Sequence, residues 1–187
     1  MGRSPDAIAF HEVEGLKAYY SRDWIGMCRL MLRMLRILGL SRRSSLEAAS
    51  CICIASAAWK STNPAMRSPS LSSRLMSLVY SRSKKETGWP RAEAAEAAHL
   101  EVEYWRAHRA HALYGGTKDE LIRSLTSLHQ ALYGVDAEAA ALSARHRAHA
   151  TIAIDRFVNG ETRTAPWSEA RLQMEECYRV LAEKLDS

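Results

Sequence analysis

Apolar residues in this 187-residue chain recur every third or fourth position, segment after segment, and nowhere alternate for the length of a strand. That period puts them on one face of an α-helix, whereas a half-buried strand needs a period of two. Gly, Pro and capping residues cut the pattern into seven or eight helices. Pro5-Asp6 opens the first, over about 7–21. The second, about 23–38, carries Trp24, Met27, Met31, Leu35 and Leu38 at helical spacing and stops at Gly39. Ser44-Ser45-Leu46-Glu47 reads as a capping box that opens a third helix, running to about Lys60 and ended by Asn63-Pro64. Pro69-Ser70 opens a fourth, with Leu71, Leu75, Leu78 and Val79 on one side. The run from Ser83 to Pro90 reads as the longest loop, and 83–90 is the candidate hinge between a basic first half and an acidic second half.

Beyond it, a long helix from about Arg91 ends at Tyr114, before Gly115-Gly116. Thr117-Lys118-Asp119-Glu120 is a second capping box, and Leu121, Leu125, Leu128 and Leu132 make one face of the helix that follows. Gly134 ends that helix, Asp136 caps the next, and Asn159-Gly160 stops it. Pro166-Trp167 opens the last, with the stripe Trp167, Ala170, Met174, Cys177, Tyr178, Leu181 and Leu185. Connections this short make consecutive helices antiparallel neighbours. The expected fold is all-α: one domain over 1–187, a bundle of seven to eight helices whose second half runs up and down.

With two Phe against seven Met and abundant Ala, such a core is built from Leu, Met and Ala. Cys28, Cys51, Cys53 and Cys177 are too few and too irregularly spaced for a disulfide scaffold; they read as free thiols of a reducing compartment. The apolar stretch from Trp24 to Leu40 is interrupted by Arg29, Arg33 and Arg36, so no transmembrane segment is expected. The N-terminus lacks the apolar run of a signal peptide, and Asp6 stands where myristoylation wants Ser or Thr, which makes a cytoplasmic address the default.

Charge is distributed unevenly. Residues 24–85 hold eleven Lys or Arg and a single acid, Glu47, net +10, while residues 86–187 hold twelve basic and sixteen acidic residues, net −4. Either the basic middle packs on the acidic second half, or it presents a face to an acidic partner. Arg29, Arg33 and Arg36 share one helix face, with Arg42 and Arg43 just beyond, and guanidinium groups in such a row suit phosphates or carboxylates. No RNP-type aromatic motif, KH-type clamp or zinc finger accompanies them. The leading expectation is therefore a non-enzymatic helical interaction protein that docks through 24–85 on nucleic acid or an acidic protein surface and needs no cofactor. An Ala-rich long helix also permits the close packing of an oligomer.

The alternative rests on a repeat. His108-Arg109-Ala110-His111-Ala112 recurs letter for letter as His146-Arg147-Ala148-His149-Ala150. Histidines three apart share a helix face, and one intervening helix makes the two segments parallel. Counting rises of 1.5 Å per residue puts both pairs at about one level, where His108, His111, His146 and His149 would hold a transition metal or haem. Glu101, Glu103 and Asp155 are carboxylates suited to acid–base chemistry. Glu96-x-x-His99 stands alone, and His11, His99 and His129 read as surface or internally satisfied groups. No phosphate loop, nucleophile elbow or kinase signature occurs, so whether the chain is an enzyme stays open at this level.

Overall fold

A computed structural model describes residues 4–61 and 68–185, which form eight helices and no strand. These are α1 (Pro5–Ser21), α2 (Trp24–Ile37), α3 (Arg42–Lys60), α4 (Pro69–Thr87), α5 (Ala94–Tyr114), α6 (Lys118–Tyr133), α7 (Ala137–Val158) and α8 (Trp167–Leu185). Each helix packs extensively on the next, and α8 returns onto α1. The fold is thus an all-α, up-and-down bundle closed into a ring. An even number of antiparallel helices brings the C-terminal end of α8 back beside the start of α1. Asn63-Pro64, expected to end α3, lies outside the described residues.

The helix starts follow from their caps. Ser4, Asp23, Ser41, Ser68, Thr117 and Asp136 each accept a backbone N–H of the first turn through a side-chain oxygen. At Thr117 the reciprocal bond from Glu120 completes the expected capping box. The other expected box is absent. Ser41, not Ser44, caps α3, so Ser44 is already inside the helix and Glu47 pairs instead with Arg43 and Arg82. Residues 83–87, expected as loop, continue α4 through Thr87. Lys84 is anchored to the Ala92 carbonyl and Glu93, and Glu86 accepts the Ser41 backbone N–H at 2.7 Å. The link that follows is packed: Trp89 lies between Tyr80, which it meets edge-on, and Tyr133, against which it is tilted, and the Arg91 and Ala92 amides donate to carbonyls near the end of α6.

The face of α4 also differs from expectation. Leu71 and Leu78 are exposed, and Ser72, Met76, Val79, Tyr80 and Ser83 point inward. α4 is squeezed between α3 and α5, where small serines allow approach, and their hydroxyls are satisfied by the Ala55 and Val79 carbonyls. α6 matches its pattern, with Leu121, Leu125, Leu128 and Leu132 all buried. Between α1 and α2 a single glycine sets the spacing: a Cβ on Gly15 would stand 2.6 Å from the Met31 methyl. Among the described residues, no helix is long and apolar enough to cross a membrane.

Candidate functional site

The ring encloses a cavity of about 220 Å³, and every one of the eight helices contributes to its wall. An apolar cavity of roughly 150 Å³ already admits benzene, so this space is of ligand size. One side is soft and apolar: Met27, Met31, Met34 and Leu35 from α2, with Ile52 from α3 and Met76 from α4. The rest is aromatic, from Tyr19, Trp59, Tyr80, Trp89, Tyr104, Trp105, Tyr133 and Tyr178. A smaller cavity of about 110 Å³ adjoins it at the end where α1 and α5 begin, sharing Trp89, Tyr133 and Tyr178.

Charged groups project into this wall at one height. Glu12, Tyr80, Glu101 and Tyr178 each stand seven residues from that same end of the ring, about 10 Å along their helices. Arg147 on α7 reaches Glu12 at 2.5 Å, with their side chains only 13% and 12% exposed. Tyr178 donates its hydroxyl to the second oxygen of Glu12, and the guanidinium of Arg147 lies over the Tyr104 ring. Burial works to lower the Arg147 pKa, but Glu12 and the surrounding tyrosines outweigh it and hold the guanidinium well above its ordinary range.

Among the described residues, Glu101 has no cation in hydrogen-bonding contact. Its two oxygens accept from Tyr80 Oη at 2.8 Å and from Trp105 Nε1 at 2.9 Å. Burial pushes its pKa up; Arg147 at longer range and these two hydrogen bonds oppose the rise. Two donors nearby have no acceptor among the described residues: Trp89 Nε1 and Arg147 Nε.

A second polar unit closes the opposite end. Asp155 accepts from Tyr20 Oη at 2.6 Å and from His108 Nε2 at 2.8 Å. With Asp155 accepting at Nε2, that nitrogen carries a proton, and Nδ1 is the ring nitrogen turned away from the carboxylate. His108 lines the cavity and stacks parallel to Tyr104. Above it, Lys60 donates to the Tyr19 and Tyr20 carbonyls that end α1 and sits over both rings.

The four histidines of the repeat are not brought together. His108 binds Asp155, His146 Nδ1 meets Gln173 of α8 at 2.8 Å, His149 Nε2 meets Lys118 of α6 at 2.7 Å, and His111 Nδ1 is buried without a partner among the described residues. Among the described residues no three His, Cys, Asp or Glu side chains are grouped to hold a metal ion. The reason is register. His108 stands level with Asp155, nine residues beyond His146, so the two pairs are roughly 13 Å out of step along parallel helices.

His129, expected at the surface or satisfied internally, is fully buried on α6. It donates from Nδ1 to Ser143 Oγ at 2.6 Å, and its Nε2 has no partner among the described residues. The Ser143 hydroxyl proton goes to the Ala140 carbonyl, which is why the imidazole must be the donor.

The basic row stands where the pattern put it. Arg29, Arg33, Arg36, Arg42 and Arg43 are all exposed; Arg43 pairs with Glu47, and Arg36 donates to the Leu40 carbonyl at the end of α2. Arg29, Arg33 and Arg42 make no ion pair among the described residues, and α2 packs on α1 and α3 rather than on the acidic second half. The thiols are free, and burial pushes those of Cys53 and Cys177 up to about 12.

Glu12, Arg147, Tyr80, Tyr178 and the indoles were not singled out from sequence. Their signal is a charge on an inward stripe. Ala140, Ala144, Arg147, Thr151 and Ile154 step by four and three along the core face of α7, and Arg147 is the letter that does not belong there. Fold and site together define a class: a closed ring of eight antiparallel helices around a chamber walled by aromatics and buried charge. Comparison of the chain with protein-family models, with curated proteins and with solved structures finds no match.

Proposed function

We propose that this protein binds a small amphipathic organic molecule inside the helical ring. The observation that carries the reading is the chamber's two-sided wall, methionines of α2 on one side and the Glu12–Arg147–Glu101 level on the other. Keeping three charged groups out of water costs several kcal/mol each unless they are paired, and a chain that only needed a core would place apolar residues there. Methionines adapt to irregular shapes, and the polar groups fix orientation. The His108–Asp155 pair at the far end would add a base to such a site.

The test is thermal unfolding against a panel of neutral, cationic and anionic amphiphiles of about ten to fifteen heavy atoms. A ligand at a hundred times its Kd adds about 2.7 kcal/mol, which raises Tm by about 5–10 °C in a chain of this size. Met34→Trp, which fills the apolar side, should abolish the shift while preserving the helical spectrum. A panel without a single stabilising compound, or shifts indifferent to Met34→Trp, would overturn the reading.

A second reading is favoured by one specific observation, the exposed Arg29 and Arg33 on α2, which make no ion pair among the described residues. We propose that this row docks on an acidic partner, a nucleic acid or an acidic protein surface. Because Arg36 serves the end of α2, the informative variant is Arg29→Glu with Arg33→Glu. It should abolish a salt-sensitive association and leave Tm within about 1 °C of the parent, as surface changes do. Association that persists in the variant, or that ignores salt, sinks it; a clean protein ratio of absorbance at 260 and 280 nm excludes co-purifying nucleic acid.

A further inference from the structure

We infer that the chamber's ligand is a small organic ammonium ion held beside Glu101. The inference rests on the reading of the ring as a ligand-binding chamber and adds the ligand's charge. Among the described residues that line the cavity, Arg147 is the only Lys or Arg, and it is already committed to Glu12. Glu101 is the carboxylate left over. Both its oxygens act as acceptors, from the Tyr80 hydroxyl and from the Trp105 indole, and the indole N–H can only donate. These two donors and Arg147 at longer range work against the upward push of burial, and the carboxylate they favour is a negative charge in the wall with no cation in contact among the described residues. Asp155, behind His108, adds a further negative charge nearby.

What surrounds Glu101 suits a cation and not an anion. Tyr80 packs edge-on against Trp89 and Trp105 is tilted against Trp59, with ring centroids 5.4 and 5.7 Å apart, so both donors of Glu101 belong to aromatic pairs, and Arg109 already lies over the Trp59 ring. Aromatic faces attract ammonium groups through the ring quadrupole, most strongly where water is excluded. An anionic headgroup would meet those same faces and an unneutralised carboxylate. A neutral ligand would gain the apolar contacts but leave Glu101 uncompensated. The Trp89 Nε1–H and Arg147 Nε–H, buried without an acceptor among the described residues, belong to two further residues of the same wall.

The experiment is calorimetric titration of the full chain with acetylcholine as the probe cation and with 3,3-dimethylbutyl acetate. This isostere has carbon in place of the charged nitrogen. Octanoate serves as the anionic arm. The cation should bind at least about tenfold more tightly than the isostere, quench the indole fluorescence of the chamber, and outcompete octanoate. Glu101→Gln, which keeps an acceptor for Trp105, should reduce the cation's preference to within about twofold of the isostere. The wild-type comparison needs no variant, so a misfolded Glu101→Gln leaves it intact. Equal binding of cation and isostere overturns the charge assignment and leaves the chamber reading standing. A preference that survives Glu101→Gln overturns the role of Glu101. Failure of all three probes overturns the inference, and the broader amphiphile panel then judges the chamber separately.

Discussion

Arg147→Met is the perturbation that most directly interrogates the charged wall. The substitution keeps a long, flexible side chain over Tyr104 and removes the guanidinium that faces Glu12 at 2.5 Å. Glu12 then keeps only the Tyr178 hydroxyl as a partner while remaining nearly out of water. Removing one member of a buried pair costs about 3–5 kcal/mol, because the other charge is stranded. At about 2–4 °C per kcal/mol for a chain of this size, Tm should fall by about 10 °C. The pair also ties α1 to α7 across α8, so the loss should appear as one cooperative transition shifted down and not as a separate early step.

The decisive comparison is the double variant Glu12→Gln with Arg147→Met, followed by urea or thermal unfolding of all four proteins. If the cost of the single change is a stranded carboxylate, neutralising Glu12 removes the cause, and the double variant should be about 1–3 kcal/mol more stable than the sum of the two single losses predicts. The amide oxygen that Glu12→Gln introduces can still accept from Tyr178, so the hydrogen bond is not the variable. Strict additivity, or an Arg147→Met loss below about 1 kcal/mol, would show that the pair is solvated. The argument from buried charge to a ligand chamber would then fall with it.

Three further outcomes follow from other parts of the ring. Burial holds the His129 pKa well below its ordinary value, with Arg147 adding to the effect; the unfolded chain therefore takes up a proton below about pH 6.5 that the folded chain refuses. Stability should be flat above that pH and fall by about 1.4 kcal/mol per unit below it, and His129→Leu should flatten the fall in unfolding titrations from pH 7 to 5. His11 and His149, also lowered by burial, act in the same direction. Thr117→Ala removes the side-chain half of the capping box and should cost about 1 kcal/mol by denaturant unfolding; an unchanged midpoint would refute the cap's contribution. Gly15→Ala pushes the Met31 methyl into the chamber and gains helix propensity of about 1 kcal/mol. Its stability should therefore hold or rise while the ligand-induced Tm shift shrinks, and an undiminished shift would show that Met31 does not border the occupied space.

How much of this was readable in the sequence depends on the range over which each feature is decided. Helix ends are decided locally, and Gly39, Gly115, Gly134 and Gly160 do stand at or just beyond stops, with Thr117 and Asp136 as caps. The start of α3 shows the limit of local rules. Ser41 and Ser44 each stand three residues before a group that either could cap, and the choice falls to Ser41 because Glu86, 45 residues away, accepts its amide and also takes up the Ser44 hydroxyl. On α4 the leucines look like the core face, yet packing between α3 and α5 turns Ser72, Met76, Val79, Tyr80 and Ser83 inward and leaves Leu71 and Leu78 exposed. The histidine repeat fails for a related reason. Levels summed from helix lengths ignore the drop through each connection and the tilt of each helix, and an error of nine residues is enough to send four imidazoles to four separate places.

The chamber itself poses a subtler problem, because a hollow ring and a filled bundle write nearly the same stripes. In both, each helix shows one inward face, and nothing in the spacing says whether the opposing faces meet or stand apart around a void. What separates them is the residues a filled core would not tolerate. Glu12 follows Ile8 by four and precedes Gly15 by three; Glu101 follows Ala97 by four; Arg147 follows Ala144 by three. Each charge sits at an inward position of a helix otherwise built from small or apolar residues. A dry core would impose the full desolvation cost on all three, and three helices would bear it at nearly the same height. Inward charges on separate helices are therefore evidence of a shared polar space, even when the residues are more than a hundred positions apart, as Glu12 and Arg147 are. The pentapeptide at 146–150 did mark the chamber wall, through its arginine and not its histidines.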